Sequence, residues 1–444
     1  MERFLMDQLL AWKESSRRKP LILKRCAPSG ENWILREFGK RYFKNVAYIN
    51  LDHNPRMSAQ FKVGFDTKRL LRAFEIETGE TIAPGKTLII LDEIQECPLA
   101  LTALKYFCEN EPQQALAVAG CLLGITFHSG SGYPVGKVNT LNLYPLSFRE
   151  FLDATGNDKL RELIDEGDKD LLGSFASKLI SLLRQYYFVG GMPEAVATYV
   201  HTESFPEVRE VQRNILQGYE RDMSKHLTGL DIQNALELWH SIPVHLGKEN
   251  KKFIFGQIKD GARAKNYRSV VTWLTQAGLT HKVSRIKKPG IPLAGYHDSL
   301  AFKLFLVDVG LLGAMSDLDA ASIIDGNAIF TEFKGALTEQ YVCQQLITEG
   351  ESAAYYWSAE NSRGEIDFLV QRSGQVYALE VKAEENLRSR SLRAFSERYP
   401  QAARLRRFSL SGFFVAKNGW KTCPFMRLEI PKTGSSRRGS GELG

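Results

Sequence analysis

The stretch that decides the fold is Leu88-Ile-Ile-Leu-Asp92-Glu93. Four consecutive apolar residues followed by two adjacent acids are typical of a strand that is buried on both faces and carries carboxylates at its C-terminal end. In an open α/β sheet, ligands bind at that edge. There, Asp92 can hold Mg²⁺ through a water molecule, and Glu93 can orient or deprotonate an attacking water. Apolar strands that end in two acids also arise by chance, so the prediction depends on the surrounding sequence.

The first 150 residues alternate apolar, strand-like runs with helical stretches, which is the pattern of a parallel α/β sheet. A helix is predicted at residues 33–43, directly after the first strand. The predicted strands lie at residues 20–24, 46–51, 87–91, 115–120 and 138–143. We therefore expect residues 1–150 to form one α/β domain, with Asp92 and Glu93 at its ligand-binding edge.

A phosphate-binding loop of the pattern G-x-x-x-x-G-K-[ST] should connect the first strand to the following helix. The sequence at that place is Arg25-Cys-Ala-Pro-Ser-Gly30-Glu31-Asn32. Gly30 is the last glycine of the pattern, whereas Glu31 stands at the lysine position and Asn32 at the hydroxyl position. Because a carboxylate repels the β- and γ-phosphates that a lysine would neutralise, we expect this loop to bind ATP weakly or not at all.

Residues 151–290 are predicted to be mostly helical, with a small winged-helix unit near their end. The stretch 242–286 reads as helix, turn, helix and strand, an order that fits a winged helix, which often binds DNA. Basic residues accompany its central helix, namely Arg263, Lys265 and Arg268. Basic residues on a helix more often form only a solvated face, so DNA contact and a plain surface both stay open.

The third region, residues 291–410, contains a second group of acids. Asp367 is followed by Glu380 and Lys382 on the next predicted strand, and the period of two puts Glu380 and Lys382 on one face. This arrangement looks like the D…E-x-K core of restriction-endonuclease-like folds, in which Glu339 matches an acid on the preceding helix. In such a site Asp367 and Glu380 would hold Mg²⁺ and the lysine would activate water. A buried ion-pair cluster, or polar residues alternating outward, is the other interpretation.

A series of short motifs recurs in a fixed order along the chain. They are Asp92-Glu-Ile-Gln-Glu-Cys-Pro98, Ala119-Gly-Cys-Leu-Leu-Gly124, Tyr133-Pro-Val-Gly-Lys137, Leu143-Tyr-Pro-Leu-Ser-Phe148, Val189-Gly-Gly-Met-Pro-Glu194 and Arg221-Asp-Met-Ser-Lys-His226. With these motifs the chain resembles, over residues 5–400, a large group of bacterial and archaeal predicted AAA ATPases whose C-terminal domain is related to the restriction-endonuclease-like superfamily. The resemblance implies a P-loop ATPase domain with ATP and Mg²⁺ as cofactors, a helical and winged-helix middle region, and an α/β nuclease-like domain.

The resemblance also implies roles for single residues. Cys121 stands where the family usually has a serine that would sense the γ-phosphate, although a small core residue is an equal alternative. Arg221 or Arg263 would be an arginine finger acting in trans, although exposed or helix-capping arginines are commoner. Beyond about residue 405 the sequence departs from the family, and residues 411–444 are predicted to form a disordered basic tail.

The loop at residues 25–32 departs from the family in a specific way, because the family loop resembles Gly-Ala-Arg-Gln-Val-Gly-Lys-Thr. If the codons are CGG TGC GCG CCA AGT GGG GAA AAC, loss of the first base gives Gly-Ala-Arg-Gln-Val-Gly-Lys and an incomplete threonine codon. We therefore hypothesise a pair of compensating frameshifts, which the nucleotide sequence would test. The alternative is a genuine degenerate loop in a pseudo-ATPase.

The composition is that of an ordinary globular chain, with 444 residues, of which 43% are hydrophobic and 25% charged. It shows no apolar run of the about 18 residues that span a bilayer, no secretion signal and no zinc-ligand spacing among its 6 cysteines. We therefore expect a cytoplasmic protein with reduced thiols and no membrane contact. The net charge of +7 permits DNA binding without requiring it.

Two functions fit these observations. In the first, the protein is a nucleotide-binding switch or motor driven by ATP. In the second, it is a DNA-binding or DNA-processing protein whose ATPase domain is an inactive scaffold. The sequence does not indicate which other proteins it binds.

Overall fold

The computed structural model describes most of the chain, namely residues 3–25, 31–121, 134–248, 251–324, 331–350, 354–359, 364–382, 390–400, 404–409, 414–415 and 421–424. The chain divides into two units, each assembled from separate segments. The first unit comprises Met1–Leu146, Met192–Leu236 and Ala264–Thr280, and the second comprises Ser147–Gly191, Glu237–Arg263 and His281–Gly444.

The first unit is built on a parallel sheet. Its strands are β1 (Leu21–Arg25), β2 (Asn45–Asn50), β3 (Thr87–Asp92), β4 (Ala115–Cys121) and β5 (Asn139–Leu143). The order across the sheet is β2-β3-β4-β1-β5, and each neighbouring pair is parallel. This confirms the parallel α/β sheet that was predicted from the first 150 residues.

Helices cover both faces of this sheet. They are α1 (Leu5–Glu14), α2 (Glu31–Tyr42), α3 (Pro55–Val63), α4 (Thr67–Thr78) and α5 (Pro98–Asn110). Leu88 and Ile90 of β3 pack in one core with α1 and α2, whereas Ile89 and Leu91 pack in another with α3, α4 and α5. Because alternate side chains of a strand point to opposite faces and both faces of β3 are covered, β3 is apolar at every position from residue 88 to residue 91.

Further helices follow along the described part of the chain. They are α6 (Phe148–Ala154), α7 (Asp158–Glu166), α8 (Lys169–Ser174), α9 (Ala176–Val189), α10 (Pro193–Thr202), α11 (Phe205–His226), α12 (Leu230–Leu246), α13 (Ala264–Gln276), α14 (Val309–Met315), α15 (Ala320–Ile324), α16 (Thr331–Gly350) and α17 (Arg390–Arg398). Helices α10, α11 and α13 belong to the first unit. None of the helices among the described residues is long and apolar enough to cross a membrane.

The second unit contains a mixed sheet. Its strands are β6 (Thr280–Ile286, of which Thr280 belongs to the first unit), β7 (His297–Leu306), β8 (Ala354–Ser358), β9 (Glu365–Arg372), β10 (Gln375–Lys382), β11 (Arg404–Ser409), β12 (Phe414–Val415) and β13 (Lys421–Pro424). The order is β12-β13-β11-β10-β9-β8-β6-β7. Strands β9 and β10 form the predicted antiparallel hairpin. Its turn places Ser373 and Gly374 at φ values of 50° and 70°, as in a tight hairpin turn.

Two predicted regions differ in detail from the structure. The helix expected in the winged-helix unit is α13, but the following strand β6 joins the mixed sheet beside β8, with Ser284 opposite Tyr355. The winged-helix assignment stays a prediction. Strands β12 and β13 lie within residues 411–444, for which a disordered tail was predicted, and the Gly- and Ser-rich composition begins only after residue 431. Residues 425–444 lie outside the described part of the chain.

Candidate functional site

The C-terminal ends of the parallel strands meet at one edge of the first unit's sheet. At this edge Arg25 of β1 lies beside Cys121 of β4, and Asn50 of β2 lies beside Asp92 of β3. Only β4 separates β1 from β3, so the start of the predicted phosphate-binding loop lies about 10 Å from the end of β3. This is the arrangement that the sequence predicted for a nucleotide site.

Several predicted site residues fall where the structure gives no side-chain description. Gly30 lies outside the described residues. Glu31 and Asn32 begin helix α2 and Cys121 ends strand β4, but only their backbone elements are described. Their roles at the phosphates therefore stay predictions.

Asp92 is fully buried, and two hydrogen bonds hold its carboxylate. The Tyr48 hydroxyl donates to Oδ2 at 2.6 Å, and the Glu93 backbone N–H donates to Oδ1 at 2.9 Å. Burial and the hydrogen bond to Asp92 raise the pKa of Tyr48, so the phenol keeps its proton and remains a donor. The Arg36 guanidinium lies over the Tyr48 ring, 4.2 Å from its centroid. Asp92 is thus fixed in position, with donors in place of the water that it loses on burial.

Glu93 has a strained backbone directly after the strand. Its φ and ψ are 51° and 46°, in the left-handed region that residues with a side chain seldom adopt. A 3₁₀ turn, Ile94–Glu96, follows, and the Gln95 amide hydrogen-bonds to the Glu93 carboxylate. Gly120 of β4 allows this turn to approach closely, because a Cβ at residue 120 would lie 2.9 Å from the Ile94 side chain. The need for a glycine at residue 120 was not predicted from the sequence, although the glycine before Cys121 was its signal.

Asp92 is suited to the Mg²⁺ role that the sequence predicted. Mg²⁺ is commonly held by one or two carboxylates together with substrate phosphates and water. Among the described residues, no group of three or more His, Cys, Asp or Glu side chains could hold a metal without other ligands. At Asp92, phosphate oxygens and water would supply the other ligands of a magnesium ion.

The predicted arginine fingers are exposed. Arg221 lies on α11, and one helical turn later Lys225 pairs with Glu96 of the 3₁₀ turn at 3.7 Å. Since residues four apart share a helix face, Arg221 lies on the side of α11 that approaches this turn. Arg263 is also exposed and belongs to the second unit. Both assignments stay predictions.

A second charged cluster surrounds Glu339 in the second unit. Glu339, on α16, accepts hydrogen bonds from Lys251 Nζ at 2.5 Å and from Lys303 Nζ at 3.3 Å. Lys303 is fully buried and also pairs with Glu365 at 2.5 Å. Although burial opposes it, the two ammonium groups lower the pKa of Glu339. The two lysines thus neutralise the charge of Glu339.

The remaining predicted nuclease-like residues lie on the β9–β10 hairpin. Because Phe368 pairs with Leu379, Asp367 and Glu380 are cross-strand neighbours. Asp367 Oδ2 accepts the Val381 N–H at 2.7 Å, and Lys382 Nζ lies 3.4 Å from Glu380 Oε1. Burial, then the nearby Glu339 carboxylate, raise the pKa of Asp367 to about 7. The predicted constellation is brought together, with Glu339 neutralised by lysines.

Comparison with protein families gives three successive matches. Residues 18–152 match an AAA domain. The chain contains an AAA domain. Residues 180–322 match the domain of unknown function DUF8612, and residues 334–428 match the domain of unknown function DUF4143. The AAA domain carries the sheet edge with Asp92 and Glu93, and the DUF4143 match carries Glu339, Asp367, Glu380 and Lys382.

Solved structures that resemble the chain share little sequence with it. The Walker-type ATPase Paby2304 of Pyrococcus abyssi is 12% identical, with a TM-score of 0.43 over 71% of this chain and 95% of its own. A variant of RuvB of Thermotoga maritima is 14% identical, with a TM-score of 0.29 over 62% and 87%. Cdc6p of Pyrobaculum aerophilum is 11% identical, with a TM-score of 0.23 over 70% and 88%. No curated protein matches the chain.

Proposed function

We propose that this protein is an AAA-type ATPase in which Asp92 holds Mg²⁺ and Glu93 orients the attacking water. The observation that carries the proposal is the Asp92 carboxylate, which is fully buried at the edge of the parallel sheet and is held by the Tyr48 hydroxyl and the Glu93 N–H. Aspartate is almost never fully buried unless it is paired, and buried carboxylates at the ligand-binding edge of an α/β sheet are candidates for a functional role. Bound Mg²⁺ would supply charge neutralisation of the phosphates.

Glu93 supports the proposal through its geometry. Its left-handed backbone turns the chain sharply at the strand end, and the Gln95 amide holds the carboxylate. A carboxylate beside the metal-holding acid can accept a proton from a water molecule that attacks the γ-phosphate. Arg221, on the side of α11 that approaches the 3₁₀ turn, is the candidate for stabilising charge on the transferred phosphate.

The loop at residues 25–32 limits this activity in the present sequence. A carboxylate at residue 31 opposes the phosphates, and the hydroxyl that would complete magnesium binding is replaced by Asn32. We infer that the chain binds ATP weakly, and that the compensated frameshift accounts for the altered loop.

The test compares the present chain with one in which residues 25–32 read Gly-Ala-Arg-Gln-Val-Gly-Lys-Thr. The restored chain is expected to be retained on ATP-agarose and to release phosphate in Mg²⁺. The present chain should release phosphate at least about 100-fold more slowly, because its contacts to the phosphates are lost. Glu93→Gln in the restored chain should keep ATP binding and abolish phosphate release. A restored chain that neither binds nor hydrolyses ATP would refute the proposal.

The alternative function is DNA processing by the second unit, with the AAA domain as a scaffold. The observation that favours it is the pairing of Asp367 with Glu380 beside Lys382 on one hairpin. The lysines on Glu339 oppose it, because they neutralise the helix acid that such a site would keep beside Asp367 and Glu380. If this alternative holds, the chain cleaves plasmid DNA in Mg²⁺ and Asp367→Ala does not. Equal cleavage, or equal absence of cleavage, by the two proteins would exclude it.

A further inference from the structure

A groove of about 500 Å³ lies between helix α2 and strand β2 of the first unit. Strand β2 is at the edge of the sheet, so only β3 flanks it among the described strands. The residues that line the groove are Trp33, Arg36, Glu37, Lys40, Val46 and Tyr48. The groove begins where the loop of the proposed ATP site ends, and neither Asp92 nor Glu93 lines it.

The groove presents aromatic rings and cations in one stripe. Trp33, Arg36 and Lys40 follow one another at helical spacing, so they lie on one face of α2. Trp33 leaves 44% of its surface exposed, although indole rings are usually well covered in folded proteins. The Tyr48 ring forms the facing wall, with the Arg36 guanidinium above it. A flat apolar ligand could therefore stack on the exposed Trp33 ring.

The charge of the groove is positive. Arg36 and Lys40 are both exposed, and neither has a carboxylate partner among the described residues. Glu37 is the acid of this stripe, and its carboxylate pairs with Arg41 at 2.7 Å. Two cations are thus available to an anionic ligand, while the acid beside them is already neutralised.

We propose that this groove binds single-stranded nucleic acid, with a base stacked on Trp33 and phosphates paired with Arg36 and Lys40. A single strand is the polymer that offers flat rings and regularly spaced negative charges together. A duplex hides its base faces within the stack, so it cannot use Trp33. The groove differs from the basic stretch around Arg263, Lys265 and Arg268, and its binding does not depend on ATP hydrolysis.

The test measures binding of a fluorescein-labelled oligothymidylate to the full chain by anisotropy and by quenching of tryptophan fluorescence. Trp33→Ala is expected to weaken binding between about 5-fold and 100-fold, the range for loss of one stacked base. Trp33→Phe keeps a ring and should stay within about 3-fold of the parent. Arg36→Ala and Lys40→Ala should each lower the slope of log affinity against log salt by about 0.7.

The controls are Ile76→Ala and Lys68→Ala, which remove an exposed apolar residue and an exposed cation of helix α4 in the same unit. Both should bind as the parent does. No binding by the parent, unchanged binding by Trp33→Ala, or equally tight binding of duplex DNA would overturn the proposal. Complete displacement of the oligonucleotide by excess ATP would assign the groove to free nucleotides and would overturn it as well. Circular dichroism confirms that each variant is folded.

Discussion

Hydrogen bonds from the Tyr48 hydroxyl and the Glu93 backbone N–H explain how the Asp92 carboxylate, which we propose holds the metal, can be fully buried. An ionised carboxylate in the interior is stable only where donors replace its water. Tyr48 supplies such a donor from the neighbouring strand, and its raised pKa keeps the phenol protonated across the physiological range. The Arg36 guanidinium stacked on the ring holds the phenol in place. Tyr48 is therefore a positioning residue for Asp92.

We expect a double-mutant cycle of Tyr48→Phe and Asp92→Asn to show strong coupling. Each single change should lower the free energy of opening of β2 and β3 by about 1–3 kcal/mol, because it removes a hydrogen bond to a charged group. The double variant should lose much less than the sum, giving a coupling of about 1–2 kcal/mol. Hydrogen exchange on peptides covering residues 45–50 and 87–92 measures it.

The control for this cycle is Tyr42→Phe, which removes a phenol oxygen from α2, where no hydrogen bond to that oxygen is present among the described residues. It should show no coupling to Asp92→Asn. Additive effects of Tyr48→Phe and Asp92→Asn would contradict the positioning role. In the chain with the restored loop, Tyr48→Phe should also raise the Mg²⁺ concentration needed for half-maximal phosphate release.

The burial of Asp92 could be predicted from sequence, but its partner could not. Four apolar residues before an acid describe a buried strand, whichever fold contains it. Tyr48 lies 44 positions earlier, and its hydroxyl reaches Asp92 because the parallel register sets Tyr48 beside Ile90, two residues before Asp92 on the same face of the sheet. Gly120 was missed for the same reason, since its requirement arises from the approach of the turn at residues 94–96.

At the scale of elements, helix α16 buries residues that the spacing of apolar residues does not mark as buried. Its glutamines are fully or almost fully buried, although glutamine usually lies at the surface. Gln340 accepts from the Leu306 N–H at 2.9 Å and donates to the Leu306 carbonyl at 2.7 Å. Gln344 accepts from the Val309 N–H, and Gln345 from the Phe148 N–H, both at 2.9 Å. The helix thus satisfies backbone groups at the ends of other elements, which no pattern in its own sequence indicates.

Two glycines of the motif at residues 189–194 contact a residue that lies more than a hundred positions later in the chain. The Gly191 N–H donates to the buried carboxylate of Asp308 at 2.6 Å. Gly190 has a φ of 72°, and a Cβ there would lie 2.8 Å from the Asp308 carboxyl carbon. Only glycine fits both the backbone conformation and this contact. The structure thus gives Gly190 and Gly191 of this motif a packing role in the second unit.

At the scale of the molecule, local pattern predicted which elements form but not which segments assemble. The strands and helices of the first 150 residues follow from apolar periodicity. The first unit, however, also includes residues 192–236 and 264–280, and the second unit begins at residue 147 and is interrupted twice. Which distant segments join the same unit depends on tertiary packing, and this packing leaves no local signal in composition or residue spacing. The domain boundaries at residues 150, 290 and 410, which were predicted from the sequence, stay predictions.

Two groups of the second unit give its stability opposite pH dependences. Burial lowers the pKa of His281 from 6.5 to about 4, so its contribution to stability is lost as the pH falls from about 6.5 to 4. Burial and Glu339 raise the pKa of Asp367 from 3.8 to about 7, so the folded state keeps a proton that the unfolded state releases. That contribution is lost as the pH rises from about 4 to 7.

These opposing titrations should offset each other in the parent chain between about pH 4 and 6.5, and single variants should separate them. His281→Gln leaves Asp367, so stability should fall as the pH rises, whereas Asp367→Asn leaves His281, so stability should rise. Hydrogen exchange of residues 281–286 and 365–372 is followed against urea at each pH. The change of the urea midpoint with pH measures both slopes. His297→Gln, an exposed histidine of the same unit, should follow the parent profile. Slopes of the same sign in the two variants would show that burial does not set these pKa values.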